Sequence, residues 1–176
     1  YVQVDTLPYF KDGEEGLLRF MLNKLIYPPD YLDSCKTGII ETDLIIRPNG
    51  SIEIGNQVDF NALGMDFQWQ AIRLLNSSTG MWMPAQYAGK SVATTVPLRT
   101  LFKSDKAKCK VANDRFDQAM LLANEAAELV DLGSLDKAME KWNQALELTP
   151  NNTEILYYRG SALLSLDRRE EACTDF

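Results

Sequence analysis

The sequence predicts two folds in series. The first is a small α+β unit, a three-stranded antiparallel sheet packed with helices. All-α helical hairpins follow it. Three observations carry this. An apolar pattern recurs at a spacing of thirty-four residues in the last third of the chain. Strand-like alternation flanks Pro48-Asn49-Gly50, a segment with turn chemistry. A second alternating stretch, Val92, Thr94, Val96 and Leu98, supplies a third strand.

The elements follow in order. Val2 and Val4 alternate with polar residues and could form one short strand, which Pro8 and Gly13 then punctuate. Glu14 and Glu15 sit where a helix starts, against the positive end of its dipole. Leu17, Leu18, Met21, Leu22 and Leu25 continue at helical spacing until Tyr27-Pro28-Pro29 stops them. A short turn through Tyr31 and Leu32 ends near Gly38. Ile40, Thr42, Leu44 and Ile46 then share one strand face, with Glu41 and Asp43 on the other. Asn-Gly tolerates the positive φ of a tight hairpin, and Ile52 to Val58 is the return strand. Met65 to Leu75 reads as an amphipathic helix with Phe67, Ala71, Leu74 and Leu75 inward. Met81 to Ala85 is an apolar knot, Gly89-Lys90 turns the chain, and the uncharged stretch Ser91 to Leu98 is the third strand. Three strands with a helix on one face is near the minimum for independent stability. Lys103 to Lys110 is a polar, Lys-rich connector. The expected organisation is therefore a unit over 1–103, with its core over about 8–102, a linker over 104–113, and helical repeats over 114–176.

In the repeats, Leu122, Ala126 and Leu129 recur as Leu156, Gly160 and Leu163. Ala138 and Trp142 recur as Ala172 and Phe176, and Gly133 as Asp167. Thirty-four residues is the period of the tetratricopeptide (TPR) repeat, which this segment resembles. Such units stack and present a groove that holds another protein. The resemblance implies that Ala138 marks the closest helix approach, that Trp142 fills the space beside it, and that Pro150 ends the second helix. It also implies that Ala123, Ala127, Asp131, Tyr157, Ser161 and Ser165 face the concave side. Tyr157, an aromatic with a polar tip, is the leading contact, against the alternative that it packs only within its repeat. Trp82 and Trp142 are expected to be structural anchors. The second repeat is cut at Phe176 and the chain opens at Tyr1 without Met, so a fragment or processed form with further repeats is expected.

Composition narrows the function. The net charge is −7. Residues 1–104 hold nine Lys and Arg against eleven Asp and Glu, and residues 105–176 hold nine against fourteen. No basic stripe exists, so nucleic acid is not an expected partner. Histidine is absent, which removes the commonest general base and metal ligand. Glu41 and Asp43 are available carboxylates, but no phosphate loop or nucleophile motif accompanies them. No enzyme activity, cofactor or metal is expected. Cys35, Cys109 and Cys173 are too far apart for a zinc or redox motif. Cys35 and Cys109 are open to pairing in an oxidising compartment, the odd count argues against a disulfide scaffold, and Cys173 reads as a small buried helix residue.

A series of weak motifs in one order spans residues 8–102. It comprises Pro8, Phe10 and Gly13-Glu14-Glu15, then Tyr27-Pro28, then Gly38 to Gly50. Asp66 and Ala71 mark the central helix; Trp82, Pro84, Ala85, Gly89, Lys90 and Val92 follow, and Pro97 and Phe102 close the series. In this order and spacing the unit resembles the C-terminal domain of TonB, the energy transducer of bacterial outer-membrane transport. Cys35 and the bulky residues after Tyr27-Pro28 depart from that pattern, as do the added repeats. The resemblance implies a periplasmic, non-catalytic protein whose third strand, through Val92, Ala93, Thr94, Thr95, Val96 and Pro97, pairs with an extended peptide of an outer-membrane transporter. The alternative for this strand is an interior place, or cover by residues 1–5. The repeats would dock a second partner. An accessory or scaffold subunit of an outer-membrane secretion or assembly complex, without energy transduction, is the other reading. Association with the membrane would run through a partner or an anchor outside this segment.

Overall fold

The computed structural model describes residues 4–176, so Val2 of the first expected strand lies outside the described residues. The chain divides into two compact units. One comprises Tyr1–Asp30, Ile39–Asp59 and Leu63–Phe102; the other comprises Tyr31–Gly38, Phe60–Ala62 and Lys103–Phe176. The fold is mixed helix and strand, with a three-stranded sheet in the first unit and helical hairpins in the second.

The first unit begins with strand β1 (Tyr9–Phe10) and helix α1 (Gly13–Lys24). Strands β2 (Gly38–Ile46) and β3 (Ile52–Asp59) form the antiparallel hairpin, pairing Ile46 with Ile52 and Leu44 with Ile54. Gly38, Ile40, Thr42, Leu44 and Ile46 are all buried, as alternation demands of one sheet face. The turn is closed by the Arg47 and Ser51 backbones (2.8 Å), and only Gly50, at φ +78°, takes the left-handed conformation. Asn49 instead uses its side-chain oxygen to accept from the Ser51 N–H and hydroxyl, at 3.0 and 2.7 Å. The register shifts between Thr42 and Leu44. Gly55 lies across from that shift, where a Cβ would come 3.0 Å from the Asp43 Cβ.

Helix α2 (Met65–Asn76) buries Phe67, Ala71, Leu74 and Leu75. Strand β4 (Trp82–Met83) pairs with β1. Strands β5 (Ala85–Tyr87) and β6 (Lys90–Val92) form a ribbon around Ala88-Gly89, both at positive φ. Strand β7 (Thr94–Phe102) then completes the sheet in the order β3-β2-β7. Phe10, Leu44, Ile46, Leu75 and Trp82 form the core, against which Phe20, Val96 and Leu98 pack. The Phe10 and Trp82 rings meet edge to face at 5.4 Å, and Phe67 meets Phe102 in the same way at 5.3 Å. The Trp82 indole N–H donates to the Ser78 hydroxyl at 2.9 Å, so the buried ring leaves no orphan donor.

One expectation is corrected here. The third strand is not continuous from Ser91. Val92 pairs with Ala85 in the ribbon, Ala93 breaks the run, and the sheet strand starts at Thr94 and reaches Phe102. The leucines of α1 divide between core and solvent. Leu17 and Phe20 pack on the core, while Leu18 and Leu22 are 60% and 72% exposed. The helix turns Phe20 toward Phe10, with ring centroids 5.6 Å apart.

The second unit contains helices α3 (Lys110–Asp131), α4 (Leu135–Leu148), α5 (Thr153–Ser165) and α6 (Arg169–Asp175), as hairpins α3–α4 and α5–α6. Its core centres on Ala119, Ala126, Ala138, Trp142, Ala145 and Leu163. Alanine at these places lets helix backbones approach closely. Gly133 at φ +71° ends α3, and its N–H bonds the Val130 carbonyl at 2.8 Å. Asp167, one period on, takes φ +58° in the same turn, its N–H bonding the Leu164 carbonyl at 3.1 Å. Asn152 caps α5, its side-chain oxygen accepting from the Glu154 and Ile155 N–H groups at 3.1 Å each. Arg159 forks onto the buried Asp175 carboxylate through Nε and a terminal nitrogen, at 2.8 and 2.5 Å.

The expected linker is not a loose connector. Residues Ala107–Cys109 form a 3-10 turn and α3 already starts at Lys110. A disulfide joins Cys35 to Cys109, residues 74 apart in sequence. Around it, the Ser104 hydroxyl donates to the Leu32 carbonyl at 2.9 Å, and the Thr37 hydroxyl to the Asn113 side chain at 2.6 Å. Lys108 Nζ lies 2.9 Å from Asp33 and holds its carboxyl below the usual range, first through a hydrogen bond and then through charge. Polar side chains that read as solvated linker thus fasten the 31–38 segment. Cys173 is also corrected: it is exposed on α6, beside the buried Ala172.

Candidate functional site

Two surfaces are candidates, one in each unit. In the first unit it is β7. Thr94, Val96, Leu98, Thr100 and Phe102 turn inward, while Thr95, Pro97, Arg99 and Leu101 are exposed. β7 ends the strand order, and among the described residues no strand pairs with its other side. Pro97 has no N–H, so it fits a strand only where its nitrogen faces away from the neighbour. Backbone N–H groups point the same way at every second residue, so those of Thr95 and Arg99 also face away from β2. Arg99 Nε sits 3.6 Å from Glu41 of β2. Val92 and Ala93 lie outside this strand. Residues 5 and 6 bond Gln86 of the ribbon through Asp5 and Thr6.

In the second unit the candidate is a groove of about 370 Å³ formed by α3, α4 and α5. Of the residues expected on the concave side, Ala127, Asp131, Ser161 and Ser165 line it. Ala123 instead packs on the core. Tyr157 does not line the groove. It is 59% exposed, with its ring 5.7 Å from Tyr158 and 6.1 Å from Phe176. Tyr158 takes its place, with Val130, Leu135, Trp142 and Ala162. Helix α5 is apolar on most sides, through Ile155, Leu156, Tyr157, Tyr158, Ala162, Leu163 and Leu164. Its periodicity therefore could not choose between adjacent tyrosines. Trp142 was the residue with a usable signal, since it holds the position of greatest bulk in the repeat. Its buried indole serves the core and the groove together.

The resemblance of the repeats can now be set against known proteins. Residues 126–167 match the family model of the TPR repeat. The match runs from Ala126 within α3 to Asp167 before α6 and includes no residue of the sheet. No curated protein and no solved structure matches the chain. The TPR repeat makes the helical unit a protein–protein interaction module, a type that is characteristically non-catalytic.

Among the described residues no group of three or more His, Cys, Asp or Glu is placed to hold a metal ion. The Glu171 carboxyl is held below its usual range by hydrogen bonding to Arg168, and Glu53 likewise by Arg47; both are exposed surface pairs.

Proposed function

We propose that this chain is a two-module, non-catalytic adaptor of the bacterial periplasm, similar in its first unit to the C-terminal domain of TonB. The β7 edge would take up an extended segment of an outer-membrane transporter or complex subunit as a further strand. The TPR groove would hold a second protein. The observation that carries this reading is the place of β7 at the end of the β3-β2-β7 order, with no strand on its outer side among the described residues. The ordered motifs from Pro8 to Phe102 support the TonB likeness. The Cys35–Cys109 disulfide supports an oxidising compartment. No helix of the described residues is long and apolar enough to cross a membrane, so attachment would come through a partner or from elsewhere in the protein.

A TPR unit following the sheet favours the second version, an accessory subunit of an outer-membrane assembly without energy transduction. Amide hydrogen exchange tests the edge in either version. Immobilised chain is used to capture detergent-solubilised outer-membrane proteins, and the purified complex is compared with the free chain. Protection should appear at residues 94–102. Thr95→Pro, which deletes an outward N–H, should abolish it while helical content is kept. Protection confined to α3–α6 would defeat edge pairing.

A further inference from the structure

The TPR groove is uneven in its chemistry. Ala127, Ala162, Ser161 and Ser165 leave room, while Trp142 and Tyr158 supply aromatic surface. Its one carboxylate is Asp131, and no Lys or Arg lines it. Among the described residues Asp131 takes part in none of the ion pairs, which on the hairpins join other carboxylates. Three cations of the hairpins are engaged elsewhere: Lys141 with Glu125, Arg159 with Asp175, and Arg168 with Glu171. A carboxylate entering this groove would meet a like charge and no cationic partner. A guanidinium would meet a carboxylate able to accept a forked hydrogen bond, beside aromatic faces that attract a cation. Val130 and Leu135 add aliphatic wall to the same cavity. Its volume of about 370 Å³ is at the small end for a ligand site, so it accommodates a few side chains of a short segment.

We infer that the groove selects a peptide segment in which an arginine is flanked by an aliphatic residue, with the guanidinium on Asp131 and the aliphatic group on the Val130–Leu135 wall. This rests on the reading of the TPR unit as a docking module and names the chemistry of its occupant. Discrimination comes from both contacts: acidic segments are repelled, and purely polar basic segments leave the apolar wall uncovered.

The probe is a phage-displayed library of short random peptides, selected on the intact purified chain. Enriched sequences should share an arginine beside Leu, Ile or Val. Synthetic copies should bind about tenfold more weakly to Asp131→Asn, as expected for loss of one charged hydrogen-bonded contact. They should also weaken as salt rises. Both Asp131 and Ser165 are exposed, so Asp131→Asn and a groove-filling Ser165→Trp should keep the circular dichroism and melting of the parent. Ser165→Trp should abolish binding. If peptides bind and Ser165→Trp removes them but Asp131→Asn does not, the docking module stands and the arginine assignment falls. If selected peptides are indifferent to Ser165→Trp, or no peptide is enriched, the groove is not the docking site and the inference fails with it.

Discussion

The sheet unit closes its core with large rings, whereas the helical unit closes its core with alanines. In the first, Phe10 and Trp82 lock edge to face, as do Phe67 and Phe102. In the second, Ala119, Ala126, Ala138, Ala145 and Ala172 are all fully buried around one tryptophan. A large ring removes much apolar area from water at one position, so a few residues suffice to fix a small sheet. Alanine removes little area but allows close helix contact. The helical unit compensates with ties of another kind: a disulfide, the Asn152 cap and the Arg159–Asp175 fork. A core of rings is specified by shape; a core of small residues is specified by distance and held by cross-connections.

The strongest way to break this contrast is to remove one large ring from each core. Trp82→Ala and Trp142→Ala should each cost about 3–5 kcal/mol, read as a fall in the urea midpoint at unchanged slope. Trp142 is the exception in an alanine core, so a loss there of less than about 1 kcal/mol would mean that alanine contacts alone carry that unit. Next in size is the staple. Replacing both Cys35 and Cys109 by Ser should cost about 2–4 kcal/mol. The exchange of the Asn113 and Ser104 amides should rise with it; unchanged protection would show that the polar contacts hold the segment unaided. The smallest effect should come with acid. Asp33 and Glu171 in the helical unit and Glu53 in the sheet unit have carboxyls held below their ordinary range by hydrogen-bonded cations. Their contribution is complete above the unfolded-state carboxylate value and is lost as pH falls through the lower folded value. Thermal melts should therefore decline slightly with acid. Asp33→Asn should flatten that decline. A melting temperature that rises over the same range would contradict the assignment.

Local patterns made much of this legible, and distant partners hid the rest. Ile40, Thr42, Leu44 and Ile46 announced a buried strand face because strand periodicity is local. Ala138 announced the repeat because its buried alanine recurs one period later as Ala172. Val92 was misplaced because its alternation runs smoothly into Thr94, and only its pairing with Ala85 separates it. Leu18 and Leu22 share the helical spacing of Leu17, and the contact of Phe20 with Phe10 separates the core side of α1 from the solvent side. The segment 104–113 looked like a linker because Ser104, Lys108 and Asn113 are polar. Their partners, Leu32, Asp33 and Thr37, lie far back in the sequence. The repeat resemblance implies Asp131 and Ser161 on the groove side, and both line the cavity, whereas Tyr158 in place of Tyr157 depends on the actual rotation of α5.

The disulfide has a mechanical consequence. Cys35 and Cys109 enclose the chain that forms β2, β3, α2 and every later strand through β7. A pull applied between the two ends of the chain therefore passes from residue 35 to residue 109 through the sulfur bridge. In covalent terms β2, β3 and β7 lie in a closed loop off that line, while β1 and α1 remain in the path of the force. Roughly 250 Å of contour is withheld from extension while the bridge is intact. Stretched in an optical trap, the oxidised chain should unfold to a shorter final length than the reduced chain by about that amount.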